Sequence, residues 1–543
     1  MGLSVGATRT ATVRWLVAAA TFTALASLMG CPRNGDGGTR PTPGGSTAPH
    51  GSTPPGSPPP SSSAPAPVPA GTPRTVPSLR GTAPASGPGW RPAAGTRVVA
   101  DPGGPLADTG RRLAGELRLP SAGGPARPGD IELALRPGQH GGPEAYEIAT
   151  RDGRATITSQ DAAGVFYGTR TLLQAVRSGG GLPEGTVRDA PDRPQRGLNL
   201  DIARKHFTAE WIEARLRELA DLKLNQLALH FSDDQGFRIE SSSHPEIVSR
   251  QHLTKAEVRR IVALAQALHI TVVPEIDSPG HLGAVIRAHP GLQLKDTVGT
   301  PARGAVDIAN PEAAKIVDDL LREYAPLFPG PYFHLGADEY RALTAKDPQT
   351  SYPHLAALAR QKYGPKARVQ DLATGWLNDR AATVRSLGKR PKAWNDGFFR
   401  DGVISADKDI EAEYWTGREL GARPPQEYLD EDRPLVNLND EYLYYVLGEP
   451  NNFRYPTGER VYGQWSPAVL RGTTPVPQGL AGADRILGGR FAVWCDHPDA
   501  QTPEQVAAGI RLPLAALAQR LWDPRPPALP WRDFRALYGT VTR

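Results

Sequence analysis

The pattern of apolar and polar positions changes twice along the chain. Residues 32–92 are Pro, Gly, Ser, Thr and Ala with hardly an aliphatic side chain. Such a segment buries too little surface to offset its ordering entropy, so 32–95 is expected to be a disordered tether. Ordered periodicity begins near Thr96. Ile131–Leu135 alternates as a strand, and 146–150 and 155–158 flank Asp152-Gly153, a hairpin signal. An amphipathic helix follows over 169–176, with Leu172, Leu173 and Val176 apolar. Residues 96–192 therefore form a small α/β unit, without the constellation of a catalytic site.

From Arg196 onward the pattern becomes strand, loop and helix, repeated. Short apolar runs occur at 197–202, 226–231, 270–276, 332–335, 392–394, 410–415, 435–438 and 491–494. Thr254 and Glu257 form a capping box before Val258, Ile261, Val262, Ala265 and Leu268, and Thr502, Pro503 and Gln505 open a second helix in the same way. Strands alternating with helices over 193–543 fit a (β/α)8 barrel (α/β class, TIM type). Polar residues gather at the carboxyl ends of the runs: Asp201 and Arg204, Asp233 and Asp234, Glu275 and Asp277, Asp338 and Glu339, Trp394 and Asp396, Trp415, Asp440, Trp494 and Asp496. In a barrel those ends converge on one mouth; a doubly wound sheet competes but does not need eight of them.

Candidate chemistry centres on 332–340, where an apolar run ends in the adjacent carboxylates Asp338 and Glu339. Neighbouring anions repel, and one use for them is glycosidic-bond chemistry with one carboxyl protonated and the other charged. Four ordered motifs extend the picture: Arg196-Gly197-Leu198-Asn199-Leu200-Asp201, His230-Phe231-Ser232-Asp233-Asp234-Gln235-Gly236, Pro274-Glu275-Ile276-Asp277-Ser278-Pro279-Gly280-His281, and His334-Leu335-Gly336-Ala337-Asp338-Glu339. Together they resemble glycoside hydrolase family 20, the β-N-acetylhexosaminidases.

The resemblance implies a retaining, substrate-assisted reaction on β-linked N-acetylhexosamine at non-reducing ends, without metal or cofactor. The 2-acetamido oxygen would act as nucleophile through an oxazolinium intermediate. Glu339 would be the acid/base. Asp338 would orient the acetamido N–H, and its charge would help keep Glu339 protonated. By the same resemblance Arg196 would hold the outer hydroxyls, Trp394, Trp415 and Trp494 would wall the sugar, and Tyr442 would bond the acetamido carbonyl. Asp233 and His281 would support the acid/base, although sequence does not separate Asp233 from Asp234. Ala337 replaces the glycine usual before Asp-Glu, and Phe237 stands where Trp is common. Tyr444 replaces an Asp, and Asp496 stands where a longer Glu is common. The last two changes prompt the alternatives of a lacto-N-biosidase-like enzyme or a poly-N-acetylglucosamine hydrolase. A non-catalytic surface glycan-binding lipoprotein is the alternative of another class, and a wall spacer a further one.

The first 31 residues read as an export signal. Arg9 and Arg14 precede an apolar stretch over 16–28, and Leu28-Met29-Gly30-Cys31 resembles a bacterial lipobox. A lipid on Cys31 would anchor the chain to the outer face of the cytoplasmic membrane. With Cys31 acylated, Cys495 would have no disulfide partner, and no Cys/His run has zinc spacing. The formal charge of +5, two units of it from the signal arginines, is too small and dispersed to indicate nucleic acid.

Overall fold

The computed structural model describes residues 71–139, 141–418, 422–448 and 453–542. The export signal, Cys31 and the tether to residue 70 lie outside the described residues, within which no helix is long and apolar enough to cross a membrane. Residues 71–95 correct the expected tether boundary. Val76 is buried, and Trp90 is buried with its indole N–H donating to the Gly129 carbonyl at 2.9 Å. Gly81–Pro84 adds an edge strand antiparallel to Gly185–Asp189. A few docking residues order a stretch whose average composition looks disordered.

These residues complete a seven-stranded mixed sheet with helices Ala107–Leu117 and Ala162–Gly179 packed against it. The hairpin forms as its alternation predicts, with Ile148 opposite Ile157; Asp152 and Gly153 both take positive φ, as a two-residue turn requires. The second helix starts earlier than its apolar positions suggest, because the Asp161 side chain accepts from the Gly164 N–H.

The remaining chain forms an eight-stranded parallel barrel. Its strands are Gln195–Asp201, Gln226–His230, Thr271–Ser278, Tyr332–Gly336, Arg390–Trp394, Glu411–Tyr414, Leu435–Asn437 and Ile486–Trp494. The eighth strand closes the ring against the first from Gly488↔Gln195 to Val493↔Leu200, and against the seventh at Leu435↔Ile486. A short extra strand, Tyr444–Val446, pairs with the far end of strand eight, Tyr444 opposite Ala492 and Val446 opposite Trp494. Both expected capping boxes are present, opening helices Lys255–Ala267 and Pro503–Trp522. Strict alternation fails once: between strands five and six there is only the 3-10 turn Asn395–Gly397.

The barrel interior is charged. Lys392 lies between Glu411 (2.5 Å) and Glu413 (3.3 Å), and Arg490 pairs with Glu413, all four groups deeply buried or nearly so. Above them His230 meets Glu275 at 3.2 Å. Burial opposes a charge on His230, but Glu275 and Asp233 outweigh it and lift its pKa well above the ordinary value. Burial, aided by Arg490 and Lys392, instead pushes His334 down to about 3, so it stays neutral. Three cations thus face three carboxylates, which is the condition for holding charge in a low-dielectric core.

The small domain docks on the barrel through polar groups of equal burial. The Lys223 ammonium donates to Thr171 Oγ1 (2.7 Å) and Tyr146 OH (2.8 Å) and lies 3.4 Å from Asp189. Asp189 also accepts from the Trp522 indole N–H at 3.0 Å. Arg196 belongs to the same seam.

Candidate active site

The adjacent carboxylates Asp338 and Glu339 follow strand four on a contorted turn. Gly336, Ala337 and Glu339 all have positive φ, at 71°, 79° and 45°. A Cβ on Gly336 would meet Asp277 Oδ1 at 1.7 Å, so only glycine lets strand three's carboxylate lie there. Asp277 Oδ1 then accepts the Ala337 N–H at 3.2 Å, and Asp396 Oδ2 accepts the Glu339 N–H at 3.0 Å. These two carboxyl groups hold the turn from opposite sides.

His281, itself at φ 54°, joins the parts. Its Nδ1 lies 3.3 Å from Asp233 Oδ2, and its Nε2 lies 3.5 Å from both Asp338 Oδ2 and Glu339 Oε2. Asp233 Oδ2 also receives His230 Nε2 at 2.8 Å and Arg204 Nη2 at 2.7 Å. Burial raises the cost of a charge on Asp233, but His281 and Arg204 outweigh it and hold it well below the carboxylate range. His281 is raised well above its ordinary value: burial opposes, and Asp233, Asp338 and Asp277 prevail. The geometry also separates the acidic neighbours. Asp233 faces His281, whereas Asp234 accepts from Gly283 N (3.1 Å) and pairs with Arg303 (3.2 Å).

Asp338 and Glu339 are tuned in opposite directions. Asp338 is raised, by burial first, with His281 opposing. Glu339, 34 % exposed, is lowered by the His281 imidazolium that faces it, against burial. The expectation that Asp338 keeps Glu339 protonated is therefore corrected: the nearby cation outweighs the anion in the free enzyme. Asp277 is held well above its usual range by burial and by Asp338, so it carries a proton. Asp396 is pushed up to about 8 by burial and then Asp338.

Beside Asp338 stands an aromatic box. Trp394 (1 % exposed) closes strand five and donates its indole N–H to Glu275 Oε1 at 2.7 Å. Trp494 closes strand eight, its ring centroid 5.9 Å from Trp394 and 5.9 Å from Tyr444. Trp415, just past strand six, stacks face to face on Tyr444 at 5.6 Å and 9°. Its indole N–H donates to Asp396 Oδ1 at 2.9 Å. The three tryptophans thus meet as expected.

Two expectations are corrected. Arg196 is fully buried near the start of strand one, opposite to the mouth. There it donates to the Lys223 and Arg193 carbonyls and pairs with Glu144 at 2.8 Å, so it cannot reach a sugar at the other end. Arg204, just past the same strand, is the arginine at the mouth, paired with Asp201 (3.0 Å) and Asp233 and lying over Trp494 at 5.5 Å. Tyr442 packs in the main core beneath the Arg460 guanidinium at 4.3 Å. Its backbone N–H is held by Asn439 in the turn before the extra strand, whose first residue, Tyr444, supplies the box's tyrosine. Asp496 stands exposed on the rim. Sequence reading passed over Asp396, whose role as a brace between Glu339 and Trp415 has no local pattern, although its place after a strand end was visible.

Comparison with known proteins agrees with this geometry. The profile of the glycosyl hydrolase family 20 catalytic domain matches residues 194–525, and that of the family's domain 2 matches 72–190. A lacto-N-biosidase of Bifidobacterium bifidum is 31% identical over 482 residues, which is 87% of this chain and 42% of that protein. A β-hexosaminidase of Vibrio furnissii is 26% identical over 414 residues, covering 68% of this chain and 64% of that one. The chain thus spans less than two thirds of either relative. Among solved structures, the GH20 β-N-acetylhexosaminidase of Streptomyces coelicolor superposes with a TM-score of 0.69 at 24% identity, covering 88% of this chain and 96% of that one. A strand-end carboxylate pair, its buried His–Asp support and an aromatic box sit on a matched barrel behind a matched second domain: the chain belongs to glycosyl hydrolase family 20.

Proposed function

We propose that this chain hydrolyses β-linked N-acetylhexosaminides with retention, using the substrate's own acetamido group as nucleophile. The observation that carries the reading is an aromatic box beside Asp338, whose other nearby carboxylates, Glu275 and Asp396, are taken up by the indole N–H groups of Trp394 and Trp415. Indole and phenol faces suit the acetamido methyl and the C–H face of the sugar, and Asp338 suits the acetamido N–H. In the first step the acetamido oxygen bonds the anomeric carbon as the glycosidic C–O bond breaks, and the Glu339 proton passes to the leaving oxygen. Positive charge develops on the oxazolinium ring, where Asp338 stabilises it. In the second step Glu339 takes a proton from water, the water oxygen bonds the anomeric carbon, and the ring reopens to the acetamide. Arg204 at the rim is the donor for outer hydroxyls.

The first test is hydrolysis of chitobiose and a longer β-linked N-acetylglucosamine oligomer. Glu339→Gln should lower kcat about 10²- to 10⁴-fold, and Asp338→Ala should lower it on the same substrates; full activity in either variant would refute the assignment. A second reading, release of disaccharides, is favoured by Tyr444, an aromatic wall where a hydroxyl-binding carboxylate is common, and by the lacto-N-biosidase similarity. It predicts disaccharide rather than single-sugar products.

The same proposal places the enzyme outside the cell, lipid-anchored through Cys31. Leu28-Met29-Gly30-Cys31, a lipobox-like ending after an apolar stretch, supports this. Membrane-extracted protein without a diacyl mass addition would exclude the anchor.

A further inference from the structure

Outside the active site, His244, Glu246 and His289 converge at the surface. His244 Nδ1 lies 3.1 Å and His289 Nε2 2.8 Å from the same carboxylate oxygen, Glu246 Oε1, and the three donor atoms lie within 4.8 Å of one another. We propose that this cluster is a binding site for a zinc-class divalent cation.

Two imidazole nitrogens and a carboxylate oxygen form a borderline-soft donor set that suits zinc, whereas calcium and magnesium prefer all-oxygen sites. Tetrahedral zinc with bonds of about 2.0–2.1 Å needs ligand atoms about 3.3 Å apart. The two edges to Glu246 are within about half an ångström of that, and the edge between the histidines, within 4.8 Å, closes by rotation of the partly exposed His289 ring. The backbone is already braced. His244 N–H donates to Ser241 Oγ at 3.0 Å, and the Ser241 and Ser243 hydroxyls are tied to Glu323. Glu246 lies on the 3-10 turn Pro245–Ile247, and the His289 N–H caps helix Gly283–Ala288 on the Val285 carbonyl at 2.9 Å.

The second independent observation is on the far side of the first ligand. His244 Nε2 is buried without a hydrogen bond and faces Asp319 Oδ2 at 3.5 Å. With Nδ1 on a metal, Nε2 must carry the ring proton, and Asp319 is placed to accept it. A carboxylate behind a ligating histidine fixes the tautomer and raises ligand basicity. Glu246 and His289 are 41 % and 32 % exposed on their side chains, which leaves the remaining coordination position to water. Bound zinc would cross-link the segment after strand two, which carries Asp233, to the segment after strand three, which carries His281. The site shares no residue with the acid/base machinery, so it stands or falls apart from the proposed hydrolysis.

The test is calorimetric titration of the tag-free full chain, stripped with chelator, with zinc chloride at neutral pH. One equivalent should bind, with affinity reduced at least tenfold in His289→Ala and in Glu246→Gln, and several-fold in Asp319→Asn. Cobalt(II) in its place should give the intense visible bands of a tetrahedral site, lost in the same variants. Glu246 is exposed enough that its glutamine variant should fold, as circular dichroism would verify. No uptake, or uptake undiminished in both His289→Ala and Glu246→Gln, overturns the proposal.

Discussion

The most consequential single residue is His281, because it faces both Asp338 and Glu339. Its charge holds Glu339 low, so the free enzyme favours an ionised Glu339, while burial favours a protonated Asp338. Catalysis needs the reverse. An acetamido N–H on Asp338 favours its anion, and a sugar covering Glu339 raises its pKa by desolvation. We expect kcat/KM, which reports the free enzyme, to fall with rising pH earlier than kcat does. Removing a facing cation raises a carboxyl pKa, so His281→Asn should move the basic limb of kcat/KM to higher pH. A limb that stays put or moves down would mean another group sets it. Sequence reading located Asp338, Glu339, Asp233 and His281 because each belongs to a local motif. It misplaced the arginine because Arg196 and Arg204 lie on the same strand-and-loop segment, and only the direction in which a barrel strand runs decides which end is wet. It chose Tyr442 over Tyr444 for a related reason: the turn at Asn439 and the start of the extra strand fix which tyrosine enters the box, and neither has a motif.

At the scale of elements, the turn after strand four is where fold and chemistry conflict most. Ala337 holds φ 79°, a conformation costing an alanine about 1 kcal/mol. Ala337→Gly should therefore leave kcat near the parent value and raise stability to denaturant by up to about that amount, less the entropy lost by glycine. Gly336→Ala should do the opposite. Its Cβ collides with Asp277, so the turn must shift, and kcat should fall by orders of magnitude even if circular dichroism shows a folded barrel. Strand positions were legible in sequence because inward and outward demands leave short apolar runs with polar endings. The missing helix after strand five was not, since 395–410 satisfies its backbone with a 3-10 turn and side-chain acceptors such as Asn378 Oδ1, which takes the Asp407 N–H at 2.9 Å. The zinc-class cluster was equally invisible. Its histidines are far apart in sequence and meet only because two barrel loops pack together.

At the scale of the molecule, the small domain is part of the barrel's foundation. Lys223, Arg196 and Asp189 are buried only because the two domains cover one another. Expressing 193–543 alone would strip Lys223 of Tyr146, Thr171 and Asp189 and Arg196 of Glu144. The isolated barrel should be insoluble or unfolded by circular dichroism, and a soluble, active barrel would show the seam to be dispensable. Arg196→Ala should likewise lower Tm, whereas Arg204→Ala should act chiefly on kcat/KM; comparing melts with initial rates separates the two. The first barrel strand begins at Gln195, where the periodicity changes, but the seam left no signal in the sequence, because its residues are spread over both units. One further consequence lies in how the ring closes. Strand eight meets strand seven low down, at Ile486 to Gly489, and the extra strand Tyr444–Val446 higher up, at Ala492 to Trp494. The neighbour of strand eight thus changes partway up the ring, from strand seven to a separate three-residue strand. That second neighbour carries Tyr444 against Trp415. A change in the length of this short strand would therefore move one wall of the aromatic box without altering any residue of the Asp338-Glu339 turn.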